Sequence, residues 1–186
     1  MAERDAVAIA IRAAEATDAE ALGRIAQRAW GRTYPGIVPD AVLKEWIELA
    51  PESWRKALTA EPLDDAARVW VAERGGTVRG YATTSPARDV WLTPPAGAGE
   101  LTNLYIDPDA IGSGLGHALF QHAVDDLHDR EFNPLVVWAF RDNPLARRFY
   151  ERMGLTIDVA DHHWVLGDVP CPIVRFRRDW SADATE

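Results

Sequence analysis

Hydrophobic residues recur along this chain with two periods, and the switches between them mark its elements. Val7–Arg12 is short, β-branched and alternating, which predicts a first strand. Thr17 follows as a helix N-cap, with Glu20 three residues on in capping-box spacing. The helix it starts carries Ala21, Leu22, Ile25, Ala29 and Trp30 on one side and should stop between Gly31 and Pro35. A second helical stretch begins near Pro39 with Val42, Leu43, Trp46, Ile47 and Leu49. Pro51 is expected to interrupt it, leaving a further turn or two through Trp54 and Leu58 before Glu61-Pro62.

The period then shortens. Arg68–Glu73 and Val78–Thr84 read as strands, and Gly75-Gly76 between them supplies the positive φ of a tight antiparallel hairpin. A Pro- and Gly-rich loop over Asp89–Ala98 leads to a strand at Glu100–Ile106, closed by Asp107-Pro108. Leu115, Leu119, Ala123 and Leu127 set an i, i+4 stripe for a helix, and Leu135–Phe140 reads as a buried strand. Asn143 as N-cap, Pro144 at the first helical position and Gly154 as stop bound the clearest helix, with Leu145, Phe149 and Met153 as its apolar stripe. Leu155–Val159 and Trp164–Phe176 are terminal strand material, and Ser181–Glu186 reads as a frayed tail. No repeat, linker or composition break appears, so residues 1–186 are expected to form one mixed α/β domain.

Charge narrows the partners. The chain has 29 acidic against 20 basic residues, a formal net charge of −9, with the acids spread throughout. Nucleic acids and anionic membranes need clustered Lys and Arg, so neither is expected as a partner. An acidic surface favours amines or basic peptides, as a weak field effect. Cys171, between two prolines, is the only cysteine, which leaves no disulfide framework and no cysteine-based zinc site. His162-His163 has no third ligand at usable spacing, so no metal is expected. Charges break up the apolar positions of the N-terminus, unlike a signal peptide, and no run approaches the ~20 apolar residues that span a bilayer. A cytoplasmic location is the expectation.

The first chemical feature is the strand–turn–helix around Ile111-Gly-Ser-Gly-Leu-Gly-His117. Backbone N–H groups at a helix start lack internal partners and favour an anion, and glycines let a phosphate approach them. The loop is not a P-loop, because no Gly-Lys-Ser/Thr follows. It also misses the dinucleotide fingerprint, since the third glycine comes one residue early and His117 takes that place.

With its context, Glu100-Leu-Thr-Asn-Leu-Tyr-Ile-Asp-Pro108 and then Ile111–Leu119, the loop resembles the acetyl-CoA motif of the GNAT superfamily of N-acyltransferases. Gly114 and Gly116 match the two glycines of that family's loop. Ile111 stands where the family has Gln or Arg, which removes a side-chain contact and leaves the backbone donors. Asn143-Pro-Leu-Ala-Arg-Arg-Phe-Tyr150-Glu-Arg-Met-Gly154 resembles the family's following motif. Trp30, Tyr34-Pro-Gly-Ile37 and Leu43 are similar to the opening of many bacterial members, with a lean toward peptide and ribosomal-protein N-terminal acetyltransferases. The resemblance covers about residues 7–178.

That resemblance implies a GNAT acyl-CoA N-acyltransferase fold of α/β (α+β) class. Its central sheet is twisted, mixed and mostly antiparallel, flanked by helices, and its fourth and fifth strands splay to admit the pantetheine arm. It implies acetyl-CoA as acyl donor and a small-molecule or peptide amine as acceptor, attacking through a tetrahedral intermediate. The implied cofactor-binding residues are Leu104, Tyr105, Ile106, Ile111, Gly112, Ser113, Gly114, Leu115, Gly116, His117, Asn143 and Phe149. Among them the Leu104 N–H would polarise the thioester carbonyl, and backbone near Ile106 would pair with pantetheine. Exposed strand edges of this kind often pair between subunits, so a homodimer is compatible with the fold.

The reaction needs a neutral amine, a stabilised oxyanion and a proton for the departing thiolate. An amine with pKa of ~8 to ~10.4 is largely protonated at neutral pH, so a carboxylate that takes its proton helps. Glu100 is the candidate base, aligned by spacing with a glutamate that serves other members, and Glu73, Asp107 and Glu151 are less favoured. Tyr150 is the candidate acid; beside Phe149 of the apolar stripe, it is rotated toward a cleft. In this fold the first two helices and the late strands shape the acceptor pocket, which makes Trp30 and Tyr34 candidate substrate residues, with Trp46 and Trp91 near them. A non-catalytic acyl-CoA-binding module and a nucleotide-binding α/β protein are the alternatives.

Overall fold

In the computed structural model, which describes residues 8–59, 66–88, 90 and 92–180, seven strands among these residues form one sheet. They are β1 (Ile9–Ala13), β2 (Arg68–Arg74), β3 (Thr77–Pro86), β4 (Gly99–Ile106), β5 (Leu135–Phe140), β6 (Thr156–Leu166) and β7 (Val169–Arg178). Their order across the sheet is β1-β2-β3-β4-β5-β7-β6, and every neighbouring pair is antiparallel except β4–β5. The helices are α1 (Ala19–Thr33), α2 (Asp40–Thr59), α3 (Leu115–Asp129) and α4 (Pro144–Arg152). The mixed, mostly antiparallel sheet expected from the sequence is borne out.

Two apolar layers sandwich the sheet. On one face Leu115, Leu119, Ala123 and Leu127 of α3, all buried as their stripe requires, pack on Ala72, Ala82, Leu101 and Val137. On the other, Leu22, Ile25 and Ala26 of α1 and Ala50 of α2 cover Val71 and Tyr81. Alternate residues of β2 and β3 thus serve opposite layers.

Several boundaries differ from the sequence reading. Thr17 does not cap α1; it lies inside a 3-10 turn, Ala16–Asp18, whose capping box is formed by Glu15 and Asp18. Asp18 also receives Arg12 at 2.7 and 2.8 Å, and this ion pair wins the position. Trp164–Phe176 is not continuous: β6 ends at Leu166 and β7 starts at Val169 across a turn with Gly167 at φ 59°. Leu145 is exposed, and α4 buries Tyr150 instead. Val7, Glu61-Pro62, Asp89, Trp91 and Ser181–Glu186 lie outside the described residues.

Pro51 does not break α2, which is continuous for 20 residues. Proline leaves the carbonyl four residues earlier without its N–H. That carbonyl belongs to Ile47, and Gln27 of α1 donates its side-chain Nε2–H to it at 2.8 Å. The ring and backbone of Pro51 then sit against Gly23, where an added Cβ would lie 2.6 Å from Pro51 Cα. Gly23→Ala should therefore destabilise the protein by about 1–3 kcal/mol from overpacking, outweighing a helix-propensity gain of about 1 kcal/mol. A lower urea midpoint with unchanged m checks this; a raised midpoint would show that the helices can part.

Two ion clusters place the glycine loop. Asp107, at the end of β4, accepts from Arg28 of α1 at 2.7 Å, lies 3.3 Å from Arg79 of β3, and takes the Asp109 N–H at 3.1 Å. Arg28 also holds Asp109 at 2.7 Å. On α3, Asp126 is buried and accepts from Arg68 of β2 at 2.5 Å, Thr84 of β3 at 2.6 Å and Arg130 at 3.2 Å. Helix and loop are thereby fixed to the sheet from both ends.

Candidate acyl-transfer site

The site arises where β4 and β5 part. They pair only at Gly99 with Leu135 and Glu100 with Val136, after which β4 continues to Ile106 and β5 to Phe140 unpaired with each other. A bulge bends β4 at this point: Thr83 faces Asn103 while Thr84 faces Leu101, so Thr102 is the extra residue. The bulge shifts the alternation, which puts Leu101, Leu104 and Ile106 in the α3 layer and turns Tyr105 to the α1 layer. A cavity of about 800 Å³ fills the gap.

One end of the cavity is the glycine loop. Gly112 and Gly114 have φ of 82° and 88°, a region where other residues are strained. Gly114 is the N-cap of α3 and offers no side-chain cap, and the first backbone bond returned to it is from Ala118 at 3.0 Å. The N–H groups of Leu115, Gly116 and His117 are left as donors at the positive end of a 15-residue helix. Gly116 lines the cavity beside Ile106 and Phe149, so its missing side chain leaves the wall open.

The middle of the wall comes from Leu104, Ile106, Asn143, Ala146, Phe149 and Tyr150. Asn143 caps α4, accepting the Ala146 N–H at 3.1 Å, and Pro144 and Gly154 bound the helix as read from sequence. Tyr150 is buried against Phe120, Phe149 and Phe176, with ring centres at 6.4, 5.4 and 5.4 Å. Burial, and then the nearby Tyr105, raise its phenol above the ordinary value, so it keeps its proton through the neutral range.

The far end is aromatic. Trp30 and Tyr34 are both there, with Trp46, Trp138, Phe140 and Trp164. The Tyr34 and Tyr105 hydroxyls hydrogen-bond to each other at 2.7 Å, and burial raises both phenols. The late strands were expected at this wall, but Trp138, Phe140 and Trp164 were not singled out, because which side chains of β5 and β6 face it is set only by the fold. Residues two apart on β5 share a face, which is the signal available for Trp138 and Phe140.

Not every candidate side chain lies on the wall. Ser113 turns away and donates to the Ala110 carbonyl at 2.6 Å, Leu115 is buried in the α3 layer, and Tyr105 reaches the cavity between Trp30 and Tyr81. Glu100 is 5% exposed at the paired end of β4, where its carboxylate meets the Arg88 N–H at 3.4 Å, and it does not line the cavity. Burial pushes its pKa up, against a smaller opposing effect of Arg88. Glu73 pairs with Arg12, Asp107 with Arg28, and Glu151 is exposed. Among the described residues no carboxylate lines the cavity.

A parted parallel strand pair beneath an uncapped glycine loop is what the sequence resemblance requires, and comparison with known families decides the matter. The profile of the acetyltransferase (GNAT) family matches residues 28–155, from α1 through the end of α4. The chain belongs to the GNAT acetyltransferase family. A mycothiol acetyltransferase of Thermomonospora curvata is 33% identical over 106 residues, covering 57% of this chain and 33% of that protein. The chain thus spans about a third of that relative's length. In fold, the GNAT chain resembles the PaiA N-acetyltransferase of Thermoplasma acidophilum, solved with coenzyme A, at a TM-score of 0.74, 20% identity and coverage of 93% and 99%. It also resembles the ribosomal-protein-S18-alanine N-acetyltransferase of Escherichia coli, at a TM-score of 0.63, 20% identity and coverage of 96% and 99%. Among the described residues no helix is long and apolar enough to cross a membrane.

Proposed function

We propose that this chain transfers the acetyl group of acetyl-CoA to a primary amine. The observation that carries the reading is the cavity itself, which joins the free N–H groups of α3, the parted strands β4 and β5, and Tyr150. The N–H groups at Leu115, Gly116 and His117 would hold a diphosphate, with Ile111 offering no side-chain contact. Backbone of β4 near Ile106 would pair with the pantetheine amides, and the Leu104 N–H would polarise the thioester carbonyl as charge develops on its oxygen. The amine nitrogen bonds to the carbonyl carbon, the carbon–sulfur bond breaks, and one proton passes in net from nitrogen to sulfur. Tyr150 is the donor to the departing sulfur. Phe149 and Asn143 support it from the same helix, and Trp30 and Tyr34 flank the amine.

Glu100 acts at one remove in this reading: lying behind the wall, it takes the amine's proton through water. A carboxyl whose pKa is raised in the folded state is a stronger base, and its charged form costs stability. The sign follows: its stabilising contribution is full below the ordinary carboxyl pKa of about 4.3 and is lost as pH rises through the raised value. Glu100→Gln should therefore melt higher than the native protein at pH 7, with the gap closing toward pH 4. Its turnover should fall at least about tenfold if Glu100 is the base. Unchanged turnover would assign that proton to water alone.

Release of free thiol from acetyl-CoA, followed while the amine is varied, tests the function. Release should rise with amine and stay at background without it. That no carboxylate among the described residues lines the wall favours one competing reading, a non-catalytic acyl-CoA-binding module on the same fold. Binding of acetyl-CoA with no amine-dependent release would establish that module and contradict catalysis.

A further inference from the structure

From the lining of the far end we infer the acceptor class: a primary amine carried on a flat, apolar body with no second positive charge. This inference rests on the acetyl-transfer reading above. The wall there is a continuous set of rings drawn from α1, α2, β5 and β6. Trp46 stacks on Trp164 at 5.3 Å, Trp164 on Phe140 at 5.8 Å, and Tyr34 meets Phe140 edge-on at 5.3 Å. Trp30 joins the set through Trp46 at 6.0 Å. Such a surface releases most free energy to a ligand that buries aromatic or aliphatic area, and ring faces also tolerate one ammonium.

The charges on the cavity point the same way. A bound polycation needs carboxylates to replace its lost hydration. Among the described lining residues there is none, and the side chains of fixed charge are the guanidiniums of Arg32 and Arg152. The net charge of −9 therefore resides away from the described cavity wall, on acids other than Asp18, Asp107, Asp126 and Asp158, whose charges arginines neutralise. The general pull of the protein on cations does not extend to a site that would hold several of them. The amine that reacts must be neutral in any case, and a dry aromatic surround favours the neutral form.

The test compares thiol release from acetyl-CoA with 2-phenylethylamine and tryptamine against spermidine, kanamycin and a short neutral peptide with a free α-amine. The aryl amines should exceed the others at least tenfold in kcat/KM. Leu49→Asp puts a carboxylate on the wall at a half-exposed position of α2, so the fold is little disturbed. It should narrow the gap by improving spermidine at least several-fold. Calorimetry with acetyl-CoA is run on the same sample. Equal or better turnover of spermidine, kanamycin or the peptide overturns the inferred class. So does acetyl-CoA binding with no turnover of either aryl amine. Failure to bind acetyl-CoA removes the reading on which the class rests and overturns both.

Discussion

Tyr150→Phe should lower kcat about a hundredfold while leaving the affinity for acetyl-CoA within about twofold. Removing one donor aimed at charge that develops in the transition state costs typically about 10²–10³ in kcat. The loss should fall on kcat because the hydroxyl interacts with a sulfur that is negative only as it leaves. Tyr150 retains its ring contacts with Phe120, Phe149 and Phe176 in the variant, so packing and stability should change little. The raised phenol pKa makes full proton transfer to a thiolate with pKa near ~8.5 uphill, so the hydroxyl contributes mainly as a hydrogen bond that strengthens with the charge. Steady-state kinetics with calorimetry on the variant check both parts. Full activity would make Tyr150 a packing residue and return the departing sulfur to water.

Asp126→Ala should cost about 3 kcal/mol of stability. The carboxylate is 2% exposed and bridges α3 to Arg68 on β2, Thr84 on β3 and Arg130 at the C-cap of the helix. Deleting it strands the partly buried Arg130 and the Thr84 hydroxyl, and breaking a buried pair typically costs about 3–5 kcal/mol. The lower end applies because Arg68 is half exposed and regains water. Asp126→Asn, which still accepts from Thr84, should lose less. α3 begins at Leu115, 11 residues earlier or roughly 17 Å along the axis, and the glycine loop lies beyond that end, so acetyl-CoA affinity of the folded variant should be unchanged. Urea denaturation and calorimetry give the two numbers. A loss under about 1 kcal/mol would mean that the cluster is solvated and contributes little.

The elements most legible in the sequence were those with local chemical punctuation. Asn143, Pro144 and Gly154 bound α4 without help from the rest of the chain, and Gly75-Gly76 made the β2–β3 hairpin where it was read. The stripe from Leu115 to Leu127 named the buried face of α3. Pro51 was misread because its remedy is Gln27, on another helix and 24 residues away. Thr17 was misread because Arg12 draws Asp18 into a competing cap.

The site was half legible for the same reason. A glycine loop is written in consecutive residues, whereas the aromatic wall is assembled from α1, α2, β5 and β6 and has no local signature. Glu100 is two residues from a bulge that resets which side of β4 faces where, and strict alternation carries no sign of that bulge. The net charge pointed to cationic partners only as a field effect and carried no sign of where the acids stand relative to the cavity, because that depends on long-range packing.

Calorimetric titration of the purified protein with acetyl-CoA, with ATP and NAD as controls, tests the central claim most directly. Micromolar binding of acetyl-CoA is the expected result, with none of comparable strength for the other two. Preference for ATP or NAD, or no binding of acetyl-CoA at all, would contradict it.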